Sequence, residues 1–143
     1  MRQNIIRMMT VAALLFVVIT AGAQDNLAIG EAFRRFGTQK GCKMVTLVDG
    51  ELKGKKLKLY KSLVYKRYGA EIESMVQTDR KRARKVQEVV VDGCVENGFY
   101  VLPPGAGGVN RFILFRRSSD VSGAVIYIEA NLSPEEMRKI VIR

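Results

Sequence analysis

Residues 111–129 read Arg111-Phe112-Ile113-Leu114-Phe115-Arg116-Arg117, then Ser118-Ser119-Asp120-Val121-Ser122-Gly123, then Ala124-Val125-Ile126-Tyr127-Ile128-Glu129. The first run is apolar on both alternations, with Phe112 and Leu114 on one face and Ile113 and Phe115 on the other. A strand of that kind is covered on both sides and lies inside a sheet. The last run alternates Ala124, Ile126 and Ile128 with Val125, Tyr127 and Glu129. Two strands joined by so short a polar turn pair antiparallel.

On the C-terminal side, Ser133-Pro134-Glu135-Glu136 supplies an N-cap, a first-turn proline and a capping-box glutamate. Leu132 and Met137 complete a hydrophobic staple, and Met137, Ile140 and Val141 form the apolar face of a final helix. On the N-terminal side, residues 99–102 predict a short strand ended by Pro103-Pro104-Gly105. The glycine-rich residues 105–108 lack the Lys-Ser/Thr of a phosphate cradle and read as a loop.

Further upstream, Thr78 or Asp79 can cap a helix with the stripe Ala83, Val86 and Val90, stopped by Gly93. A shorter helix carrying Ile72, Met75 and Val76 precedes it. Residues 55–66 alternate Leu57, Leu59, Leu63 and Tyr65 against Lys56, Lys58, Tyr60, Ser62 and Lys66. Together with residues 44–48 across Asp49-Gly50 they predict a hairpin. Ile29, Ala32, Phe33 and Phe36 mark a first helix ended by Gly37 or Gly41. The expected order is α, β, β, α, α, β, β, β, α, an α+β domain with an antiparallel sheet of about five strands and helices packed mainly on one face. The predicted core includes Phe33, Phe36, Leu59, Val86, Phe112, Leu114, Ile126 and Ile140.

The chain begins differently. Arg2 and Arg7 flank a short polar start, residues 8–20 are almost wholly apolar, and Ala21-Gly22-Ala23 follows. That is the pattern of a cleaved secretory signal over residues 1–23, ahead of a single domain at residues 24–143. The expected product is periplasmic or secreted, with no membrane span after cleavage. Of the 143 residues, 24 are Lys or Arg and 14 are Asp or Glu. The leader holds two Arg and no acid, so the remainder carries 22 − 14 = +8.

There is no histidine. Catalysis built on imidazole and the usual zinc sites are thereby excluded, and no paired carboxylate spacing singles out an acid and a base. The expectation is a non-enzymatic domain with no cofactor, no metal and no catalytic residue. Cys42 and Cys94 are the only thiols. An oxidising compartment permits them to bridge, while the small and apolar neighbours of Cys42 equally suit a buried free thiol.

Binding candidates come from the cations. On the predicted helix, Arg80, Lys81, Arg84 and Lys85 fall opposite the apolar stripe, and Arg82 lies beside it. Such a basic back suits an acidic glycan, lipopolysaccharide or lipid headgroup, and export leaves no role for intracellular nucleic acid. The plainer reading is a solvated face partly neutralised by Glu88. Lys56, Lys58 and Tyr60 form a second candidate if they share a face with Tyr127 and Glu129, since aromatics among cations stack on rings. The rival to an anionic ligand is a protein partner taken by a strand edge or the sheet face.

The residues Leu27-Ala28-Ile29-Gly30-Glu31-Ala32-Phe33, Leu59-Tyr60-Lys61-Ser62-Leu63, Leu102-Pro103-Pro104 and Val109-Asn110-Arg111-Phe112-Ile113-Leu114-Phe115 resemble a family of small exported proteins of unknown function from gut anaerobes. The resemblance covers nearly all of residues 25–142. It implies a signal peptide and one α+β domain, and it brings no activity, cofactor or site residue.

Overall fold

The strongly apolar run at residues 111–117 lies where its two-sided pattern requires, inside an antiparallel sheet. In the computed structural model, which describes residues 27–141, the elements are α1 (Ala28–Phe36), β1 (Cys42–Leu52), β2 (Lys55–Tyr65), α2 (Gly69–Arg80), β3 (Arg84–Val91), β4 (Cys94–Leu102), β5 (Asn110–Arg117), β6 (Gly123–Ala130) and α3 (Pro134–Val141), with a single 3-10 turn at Ala106–Gly108. The expected leader and its cleavage after Ala23 lie outside the described residues. The strands form one sheet in the order β1-β2-β6-β5-β4-β3, every neighbouring pair antiparallel.

Six strands replace the expected five because residues 84–91 are a strand and not a helix. Val86, Val89, Val90 and Val91 are β-branched and favour the pleated surface. Asp92 at φ 51° and Gly93 at φ 78° then make the two-residue turn that joins β3 to β4, so Gly93 is a hairpin residue and not a helix stop. Register shifts between Lys85 and Gln87 and between Val89 and Val90 break the strand's alternation. In the sequence Val86 and Val90 stand four apart, a spacing that also fits a helical stripe.

The first hairpin is longer than expected. Its turn is Lys53-Gly54, at φ 50° and 79°, while Asp49 at φ 54° is a distortion within β1. Leu52 and Leu57, at the hairpin tip, pack into the α3 cluster. Lys53 Nζ donates to the Ile140 carbonyl at 2.8 Å, a cation at the negative end of that helix.

Helices cover both faces, two on one and one on the other. α1 and α2 bury Leu63, Tyr65, Tyr100, Ile113, Phe115, Val125 and Tyr127, while α3 covers Phe99, Phe112, Ile128 and Ala130. Of the expected core, Phe33, Phe36, Phe112 and Ile140 are buried. Leu59, Val86, Leu114 and Ile126 are only partly so.

The two capped helices differ in where their caps come from. α3 has the local box: Glu136 N donates to Ser133 Oγ at 3.1 Å, and Ser133 N donates to Glu136 Oε1 at 3.4 Å. α1 begins at Leu27, which supplies no side-chain cap. Its first amides donate instead to Asp79, Ala28 N to Oδ1 and Ile29 N to Oδ2, both at 2.8 Å. Asp79 is the penultimate residue of α2 and fully buried, so it caps a helix fifty residues away and not one that follows it.

Candidate binding surfaces

The basic segment folds as a helix end, a turn and a strand start, and its charges do not form a helix back. Arg80 closes α2, Lys81 and Arg82 lie in the turn, and Arg84 and Lys85 open β3. Arg80 grips Glu88 through both ends of its guanidinium, Nη2 to Oε1 and Nε to Oε2 at 2.7 Å each. Tyr100 donates its hydroxyl to Glu88 Oε2 at 2.6 Å. Burial works to raise the Glu88 pKa, yet the Tyr100 and Arg80 hydrogen bonds and the nearby cations outweigh it and hold the carboxyl below its ordinary value. Lys85 Nζ stands 3.8 Å from Glu88, and Arg82 Nη2 stands 3.3 Å from Asp79 Oδ1. Three of the five cations thus have acidic neighbours, and the anion-binding surface shrinks to Lys81 and Arg84.

The second candidate separates across the sheet. Tyr60 pairs with Ile128 and Lys61 pairs with Tyr127, so Tyr60 and Tyr127 face opposite sides. Tyr127 is fully buried beneath the helices and donates to Glu129 Oε2 at 2.6 Å, and Glu129 is buried as well. Tyr60 leans half-buried on the α3 cluster, and only Lys56 and Lys58 remain exposed.

Among the described residues each buried or nearly buried carboxylate has fixed donors: Asp79 from the α1 amides, Glu88 from Arg80 and Tyr100, Glu129 from Tyr127. Burial, and then the carboxylate each one faces, pushes the hydroxyls of Tyr100 and Tyr127 well above the ordinary tyrosine value. Tyr65 is also driven upward, first by burial and then by Glu73. Among the described residues no cluster of three His, Cys, Asp or Glu side chains could hold a metal ion. Cys42 and Cys94 are both free thiols; Cys42 is half-buried, and Cys94 is exposed as the first residue of β4, not beyond a helix end. Burial pushes the Cys42 thiol up despite Arg67 nearby.

The surface that sequence reasoning missed lies on the α3 side of the sheet. α3 has eight residues and spans about 12 Å, whereas eight-residue β5 and β6 each span about 26 Å. No described residue covers the rest of this face, and a trough of about 510 Å³ crosses four strands there. Its walls include Gln87 and Val89 from β3, Asn97 and Phe99 from β4, Leu114 and Arg116 from β5, and Ala124 and Ile126 from β6. Among the described residues Arg116 is its one charged lining residue, and it is exposed. The available signal was the mismatch between a two-turn helix and the strands it had to cover.

The profile of a family of unknown function, DUF6108, matches residues 16–141. No curated protein and no solved structure matches the chain.

Proposed function

Because the chain belongs to DUF6108, a family of unknown function, its activity has to be read from its own surfaces, and we propose that it is an exported, non-enzymatic domain that binds an anionic amphiphile of the cell envelope. The trough carries this reading. A largely apolar floor fits an acyl chain, and Arg116, the one charged side chain among the described residues of its lining, fits the acid group. Its volume lies in the small-molecule range of about 300–1,000 Å³.

The charge of the domain supports the same ligand class. Residues 1–26 contribute Arg2, Arg7 and Asp25, and residues 142–143 contribute Arg143, so residues 27–141 carry 10 − 1 − 1 = +8. A field of that sign draws anions to the surface before any specific contact forms. The engagement of Asp79, Glu88 and Glu129 by fixed donors supports a binding role over an acid–base one.

Displacement of a fluorescent fatty-acid probe tests the proposal. A long-chain fatty acid should compete, the matching fatty alcohol should compete less, and a chainless acidic polysaccharide should not compete at all. Arg116→Glu should erase the preference for the acid over the alcohol, and Ala124→Phe should block both. Ile126→Lys places a charge in the floor and serves if the bulky variant fails to fold. Failure of the parent to bind the fatty acid, or equal binding by all three variants with native circular dichroism, overturns the proposal.

A further inference from the structure

The net charge is gathered in one corner. Residues 32–48 and 59–70 hold seven Lys or Arg and no Asp or Glu, so they carry 7 − 0 = +7 of the +8 of residues 27–141. The fold makes these two stretches one surface. β1 pairs with β2 from Cys42 and Tyr65 onward, Lys66 N donates to the Gly41 carbonyl at 2.9 Å, and the Phe36 ring stacks on Tyr68 with centroids 4.7 Å apart. Arg34 is paired with Glu31, and Lys61 lies over the Phe33 ring. Arg35, Lys40, Lys43, Lys66 and Arg67 remain, all exposed, and among the described residues none of them has a carboxylate as an ion-pair partner. Residues outside 27–141 bring a single carboxylate side chain, Asp25, against Arg2, Arg7 and Arg143, so they cannot supply the missing acids.

Two of the five cations are set in place by aromatic rings. The Arg35 guanidinium stands 5.0 Å from the Phe36 centroid and that of Arg67 stands 5.7 Å from the Tyr68 centroid. The stacked rings thus hold both forks at the surface with less freedom to lose on binding. Gly41, at φ 85°, leaves the space that Arg67 crosses, since a Cβ there would lie 3.1 Å from Arg67 Cδ. Guanidinium forks match phosphate oxygens, and the lysines add point charges. Apolar side chains lie among these cations: Val64, the cross-strand partner of Lys43, stands two residues before Lys66, and Val45 stands two residues after Lys43 on the same face. Among the described residues Val64 and Val45 are 48 and 39% exposed. Cations interleaved with valines suit a bilayer, where phosphates lie over acyl chains, better than a polysaccharide, which has no apolar layer. We propose that this corner docks the domain on an anionic phospholipid membrane. The proposal rests on the corner alone and stands without the trough.

Flotation of the purified protein with vesicles tests it, with circular dichroism confirming that each variant is folded. The parent should float with vesicles that contain phosphatidylglycerol, stay behind with pure phosphatidylcholine, and bind less as salt rises toward physiological strength. Each cation at an anionic surface is worth about fivefold in partition, so Arg35→Gln with Arg67→Gln should weaken binding about thirtyfold. Lys40→Gln with Lys66→Gln, which leaves the ring stack intact, should do the same. Arg138→Gln with Lys139→Gln removes equal charge from α3, which packs at the other end of the β1–β2 hairpin, and should weaken binding less than about threefold. An equal loss in all three double variants would mean that net charge alone acts, and it overturns the proposal. So do corner variants that bind as well as the parent, and a parent that does not float with phosphatidylglycerol, including one that an acidic polysaccharide retains instead.

Discussion

Replacing Asp79 tests whether α1 is held by a residue of α2. The carboxylate accepts two backbone amides at 2.8 Å in a fully buried position. Hydrogen bonds to a charged group contribute about 1.5–3 kcal/mol each, and amides left unsatisfied in the interior add their own desolvation cost. Because the two bonds share one carboxylate and are not additive, Asp79→Ala should cost about 3–5 kcal/mol, a large part of the 5–15 kcal/mol on the order of which such domains are stable. Asp79→Asn keeps one acceptor but turns an NH2 group toward an amide donor, so it should recover little of that loss. Arg82 is half exposed and 3.3 Å away, and Arg82→Ala should cost below about 0.5 kcal/mol. Urea unfolding at neutral pH, followed by far-ultraviolet circular dichroism, measures all three. A loss under about 1 kcal/mol for Asp79→Ala with an unchanged denaturant slope would refute the reasoning, because α1 would then have an adequate alternative cap.

Glu88 should make the fold acid-sensitive. Its pKa is lower in the folded protein than in the unfolded chain, so its stabilisation is fully present above the ordinary glutamate value of about 4.3 and is lost as pH falls through the folded value. Glu88→Gln should lower stability at pH 7 and flatten the fall in stability as pH drops below the ordinary glutamate value of about 4.3; an unchanged acid limb would contradict the assignment. Burial on the α3 face can be graded in the same way. Phe112→Ala, at a fully buried centre, should cost about 3–5 kcal/mol, whereas Leu114→Ala, in the wall of the trough, should cost about 1–2 kcal/mol. Equal losses at the two positions would mean that the trough is closed in solution.

Local signals in the sequence were legible wherever one mechanism acted alone. The Ser133 to Glu136 box places α3 at its observed start, and the two-sided apolar run at residues 111–117 lies between β4 and β6 as its pattern demands. β3 was misread because two signals conflicted: Ala83, Val86 and Val90 are spaced like a helical stripe and the register shifts remove the period-two alternation of a strand, while Val89-Val90-Val91-Asp92-Gly93 carried the hairpin sequence that decides the matter. The basic surface was lost with that helix, since its charges had been placed by a 100° rotation that a strand does not have. Tyr60 and Tyr127 separated for another reason. Which face a residue shares with a distant strand depends on register, and one step of register moves every side chain to the other face. The cap on α1 crosses fifty residues, and no spacing rule reaches that far.

The trough follows from the same local choices once they are combined. The capping box fixes where α3 begins, and α3 ends two turns later, so it covers only one end of its face. The β1–β2 hairpin bends onto that same end, where Leu52 and Leu57 join the α3 cluster and Lys53 reaches the Ile140 carbonyl. Among the described residues, cover is therefore doubled at one end of the sheet and absent at the other. On the opposite face α1 and α2 are locked together by Asp79, which leaves neither of them free to cross over. An uncovered apolar sheet surface is costly in water. Among the described residues that surface stays open beside Arg116, and it is this opening on which the proposed ligand rests.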